Sequence, residues 1–81
     1  MSERLIWLGQ KQEKDLAARQ LNISIIGLRD SLRIMLNPHT DPVEIDPAQV
    51  QQAAFELADK VARYKELKAE IKNIDRSLGL I

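Results

Sequence analysis

Cysteine is absent from this 81-residue chain, so no disulfide can staple it and no thiolate can hold a metal. Aromatic residues are nearly as scarce. One Trp, one Tyr and one Phe suit helix packing by aliphatic side chains and leave little for base-stacking surfaces. Excess charge of either sign is missing as well: twelve basic residues balance twelve acidic ones, so no net field draws the molecule to nucleic acid or anionic lipid, and such binding needs a local patch. The apolar run Leu5-Ile6-Trp7-Leu8 falls far short of the roughly 20 residues that span a bilayer, and it lacks the longer core of a signal peptide. The expectation is a cytoplasmic protein without membrane contact.

The inventory for catalysis is equally thin. His39 is the single histidine, placed among Asp41, Glu44 and Asp46 in a segment of turn-forming residues, where one imidazole and scattered carboxylates lack the convergence a metal site needs. Ser24, Ser31, Thr40 and Ser77 have no second base beside them, so no nucleophile, base and orienting group assemble. No Gly-rich loop follows a strand, and no Glu-x-x-His pair of the di-metal bundle kind occurs. These absences point to a non-enzyme without cofactor or metal.

What the chain does have is helical periodicity. Leu21, Ile25, Leu28, Leu32 and Met35, then Val50, Ala54, Leu57, Val61 and Tyr64, recur at steps of four and three on either side of a proline-punctuated joint. Ser2 is placed to cap a first helix over about residues 2–36, with Gly9 as a point where it bends or restarts. Asn37-Pro38 stops it, and residues 37–46 form the connector. Asp46-Pro47-Ala48-Gln49 opens a second helix over about 47–78, with Asp46 as N-cap, Pro47 in the first turn and Ile45 with Val50 as a hydrophobic staple. So short a joint folds the second helix back on the first. The predicted fold is all-α: a single-domain antiparallel helical hairpin over 1–81, coiled-coil-like and dimerising into a four-helix bundle.

A bend near residues 41 and 42 sets Leu32 against Val50, Leu28 against Ala54 and Leu21 against Val61. The same register brings Lys11 and Lys14 near Lys68 and Lys72, a crowd of like charge that needs counterions. After Tyr64 the apolar pattern rotates the second helix's interacting face to Leu67, Ile71, Ile74 and Leu78, with Leu16 meeting it near Leu67. Glu56 with Lys60, Asp59 with Arg63 and Asp15 with Arg19 have the spacing of supporting ion pairs.

Three surfaces are candidates for function. Leu16, Ile23, Ile26, Gly27 and Ile34 on the first helix, with Phe55, Ala58, Ala62 and Ala69 on the second, lie off the seam and read as an interface for a second copy. Leu5, Trp7 and Leu8 fall beside Ile74, Leu78, Leu80 and Ile81 where the ends of the helices meet, either sealing the bundle or docking a helical protein partner. Lys65, Lys68, Lys72 and Arg76 form a basic band interrupted by Glu66, Glu70 and Asp75. The functional expectation is a protein-protein interaction or assembly module that self-associates through helix faces, of a kind common among small bacterial and phage proteins. The alternative is a small dimeric nucleic-acid-associated regulator using that band.

Overall fold

A computed structural model describes residues 2–80, and within it the chain is two long helices joined by a structured bend. Helix α1 spans Glu3–Met35 and α2 spans Pro47–Ser77, with a 3-10 turn at Pro42–Glu44 between them. The paired helices make a rod of 61 × 19 × 14 Å.

Each boundary has a local cause. Ser2 is extended and its hydroxyl accepts from the Arg4 amide, satisfying one of the donors that an α-helix leaves unpaired at its start. Helix α1 runs through Gly9 without the expected break, because the long helix that follows and the capped turn before it outweigh a cost of about 1 kcal/mol for one interior glycine. At the other end the Leu36 and Asn37 amides bond back to the Leu32 and Ile34 carbonyls before Pro38. Asp41 receives the Val43 amide and Asp46 receives the Ala48 and Gln49 amides, so the acidic bend spends two of its carboxylates on its own backbone. Helix α2 ends at Gly79, whose φ of 75° lets the Leu80 amide turn back to the Asp75 carbonyl.

The register differs from the one the sequence suggests, and the difference removes an irregularity. Ala53, not Ala54, is buried, while Ala54 faces solvent. With Ala53 in place the covered positions of α2 run Val50, Ala53, Leu57, Lys60, Tyr64, Leu67, Ile71, Ile74 and Leu78, an unbroken heptad series with no rotation after Tyr64. Helix α1 answers with Trp7, Lys11, Lys14, Ala18, Leu21, Ile25, Leu28, Leu32 and Met35. Ala18, Leu67 and Ile71 form the central cluster, with Ala17, Leu21 and Tyr64 packed around it. Leu16 does not reach Leu67, since it sits on the outer side of α1.

Lys11 and Lys14 therefore occupy seam positions, and the like-charge crowding does not arise. The Lys14 ammonium lies 2.8 Å from Glu70 and that of Lys11 lies 2.6 Å from Asp75, one to three residues beyond the expected level. The Asp75 Oδ1 is buried with no well-aligned donor, so the Lys11 charge itself compensates it. Close contact with Asp75 raises the Lys11 pKa above its ordinary 10.5 against the opposing effect of desolvation, with the Asp15 charge adding to the rise. Glu70 is held below its ordinary 4.5, chiefly by its hydrogen bond from Lys14 and then by the Lys14 and Arg63 charges. The i,i+4 pairs read from spacing are not the ones formed: Arg63 turns to Glu66 and Glu70, and Glu56 accepts from the Gln52 amide.

Candidate interaction surfaces

Writing the seam as heptad positions a (Lys11, Ala18, Ile25, Leu32; Val50, Leu57, Tyr64, Ile71, Leu78) and d (Trp7, Lys14, Leu21, Leu28, Met35; Ala53, Lys60, Leu67, Ile74) places every other residue. Position f of each helix points away from the partner helix. Leu16 and Ile23 stand at f of α1, with Gly27 and Ile34 beside them at c and Ile26 at b. All are exposed, Ile23 to 72% and Ile34 to 75%. Nothing lies within 4 Å of the Cβ that Gly27 lacks, so no contact inside the hairpin requires a glycine there.

Phe55 and Ala62 stand at f of α2 with Ala58 beside them, and Phe55 is 64% exposed. The two apolar stripes thus lie on opposite outer edges of the rod. They do not join into the single patch that the sequence suggests, because a strict two-helix seam turns the backs of its helices away from each other.

The end cluster divides. Leu78 is buried at 7% and its carbonyl accepts from the Arg4 guanidinium at 3.2 Å. Trp7 is half-buried in a shallow cleft with Lys14, Glu70 and Ile74. Leu5 and Leu8 face solvent, and Ile81 lies outside the described residues. Trp7 and Leu78 therefore belong to the seam, and Leu5, Leu8 and Leu80 remain outward.

Between the outer edges the rod has two flanks, one built from positions e and b of both helices and the other from g and c. Arg29 and Arg33 line an open cleft of about 770 Å³ with Leu32, Leu57 and His39 on the first flank, where the Lys68 ammonium also lies 5.8 Å from the Tyr64 ring centroid. The second flank carries the Lys14–Glu70 and Arg63–Glu66 pairs and a smaller cleft of about 430 Å³ lined by Ser31, Gln49, Gln52 and Glu56.

Charge is sorted between these flanks. Arg19, Arg29 and Arg33 of α1 share the first with Lys65, Lys68 and Lys72 of α2, all exposed. Its acids are Asp15 and Asp75, and both act on Lys11 at the open end. The second flank holds Glu3, Glu13, Glu56, Asp59, Glu66 and Glu70, against which stand Arg63 and the Lys14 ammonium that reaches Glu70 from the seam. Of the expected basic band, Lys65, Lys68 and Lys72 are brought together, while Arg76 falls at f on the outer edge. Sequence reading missed Arg19, Arg29 and Arg33 because linear charge runs do not show which flank a residue joins. The signal was available in the heptad phase.

Among the described residues no group of His, Asp and Glu converges as a metal site would require. No helix is long and apolar enough to cross a membrane. Comparison with protein-family models, with curated proteins and with solved structures finds no match for this chain.

Proposed function

We propose that the protein is a non-enzymatic assembly module that pairs with a second copy of itself, two hairpins giving a four-helix dimer. The observation that carries this reading is surface area. The hairpin exposes 6258 Å². A compact monomer of its 9.2 kDa mass exposes only about 4,900 Å² on the usual scaling. The excess of about 1,300 Å² more than covers the roughly 800 Å² per partner that a stable interface buries. Six buried apolar residues among those described are also a small core for a cysteine-free chain, and association is the remaining source of stability.

The outer edge of α1 is the favoured surface because it is self-complementary. Laid antiparallel on its copy about a two-fold axis near Ile25, Leu16 meets Ile34 of the partner subunit, Ile23 meets Gly27 of the partner subunit, and Gln20 meets Asp30 of the partner subunit. Gly27 gives Ile23 its room, and the small Ser24 next to the axis allows the backbones to approach. Pairing through a flank instead would set like charge on like charge. The α2 edge offers Phe55, Ala58 and Ala62 but no second large anchor.

Two experiments test this reading. Ser24→Cys, introduced into a chain with no other cysteine, should give a disulfide-linked dimer on mild oxidation, and Ala62→Cys should not. Ile23→Asp should convert the dimer to monomer in light scattering while Phe55→Asp leaves it intact; the reverse pattern places the interface on α2, and no dimer in any variant or in the wild type ends the proposal.

A further inference from the structure

Electroneutrality of the chain conceals a strongly dipolar rod. We infer that the e/b flank is a binding surface for the phosphodiester backbone of a nucleic acid.

Three features carry this. The six cationic side chains come from both helices and lie along one flank, so the hairpin, and not a single helix, builds the array. Among the described residues Arg19, Arg33, Lys65, Lys68 and Lys72 take part in no ion pair, and Arg29 touches only the adjacent Asp30 at 3.5 Å. Of the helical carboxylates, Asp30 on the neighbouring α1 edge meets Arg29 alone, and the others are either on the far flank, across the rod, or drawn to Lys11 at the open end. Free, exposed guanidinium and ammonium groups in two rows are what neutralises phosphates and releases their counterions. Aromatic groups for reading unstacked bases are missing, since Tyr64 is a half-buried seam residue, so the expected recognition is of backbone and shape, with weak sequence preference. Levels along the seam put Arg33 near the bend and Lys72 toward the open end, about 30 Å apart at 1.5 Å per residue. This surface exists on one hairpin and does not depend on the dimer. A perpendicular two-fold through the α1 edge would set the two basic flanks on the same face.

The test is fluorescence anisotropy of labelled oligonucleotides of about 18 base pairs, matching the 61 Å rod, as duplex and as single strand, titrated with the full-length protein over a range of salt. Wild type should bind at low salt, with log affinity falling linearly with log salt concentration. Replacing Arg19, Arg29 and Arg33 by Gln, or Lys65, Lys68 and Lys72 by Gln, should weaken binding at least tenfold and reduce the slope by about 2 to 3 on duplex. Arg63→Gln with Arg76→Gln, which removes two cations from other surfaces, should change affinity less than twofold, and Lys→Arg at the three lysines should retain binding. Circular dichroism checks that each variant is helical. The duplex and single-strand arms decide which form is bound. Absence of binding at about 50 mM salt, equal losses in the flank and control variants, or binding confined to anionic vesicles would overturn the inference.

Discussion

The two halves of the rod invert a common expectation about charge and burial. Toward the bend, Ile25, Leu28, Leu32 and Met35 oppose Val50, Ala53, Leu57 and Lys60 in a seam without ion pairs, yet among the described residues only Ala53 there is buried. Toward the open end Lys11 and Lys14 stand in the seam itself, yet Ala18, Leu67, Ile71, Ile74 and Leu78 are all buried. The half whose seam lysines are paired with carboxylates is the better sealed. Long lysine stems cover the aliphatic side chains of α2 while their ammonium groups reach carboxylates at the flanks, and Trp7 closes the end. At the bend end Lys60 is not held by a carboxylate among the described residues, and clefts of about 770 and 430 Å³ open on both flanks. Covering reach, more than apolar content, decides burial in a two-helix seam.

That contrast can be broken at its strongest point first. Leu67 is 2% exposed, so Leu67→Ala should cost about 2 to 5 kcal/mol in urea unfolding, whereas Leu28→Ala, in the looser half, should cost less than about 2 kcal/mol. Equal losses would mean that the two halves are equally packed. Trp7→Ala should follow, at roughly 2 kcal/mol for a half-buried aromatic, with a lower thermal midpoint. If its stability is unchanged, Trp7 is not a seal. Filling the smaller bend-end cleft by Ser31→Leu, beside Leu28, Met35 and Ala53, should raise stability by about 0.5 to 1 kcal/mol. Destabilisation would show that half to be full already.

The smallest effect is electrostatic and has a definite sign. Glu70 has a folded pKa below 4.5, so its stabilising contribution is complete above that value and is lost as pH falls through the lower folded value. Glu70→Gln should therefore flatten the acid side of the stability profile below about pH 4.5 and leave the alkaline side unchanged. Lys11, with its pKa raised above 10.5, contributes below that pH and is lost above it, so Lys11→Met should act only on the alkaline limb. Swapped limbs would contradict the pairing.

How much of this could be read beforehand follows from the same physics. Helix ends were legible because Ser2, Asp46, Pro47 and Gly79 act on their own neighbours, within a turn of the chain. Helix α1 and its aliphatic seam were legible from periodicity. Register was not: Ala53 and Ala54 are adjacent and identical, and choosing between them requires knowing that Leu67, Ile71 and Ile74 continue the same heptad. Lys11 and Lys14 could be followed along the seam from periodicity, but their partners could not, since Glu70 and Asp75 are identified only once the helices are set level. The exposed stripe of Ile23 and Ile34 was visible in sequence, but its separation from Phe55 by the width of the rod was not. Sorting of charge onto two flanks needed the corrected phase as well.

Sedimentation of the full-length protein at micromolar concentration, at near-neutral pH, tests the central claim most directly. A self-pairing module should sediment as a species of twice the 9.2 kDa chain mass, with the helices intact by circular dichroism. A fully helical species of single chain mass across that concentration range would show that the outer edge of α1 is stable in water without a partner copy, and would contradict the account.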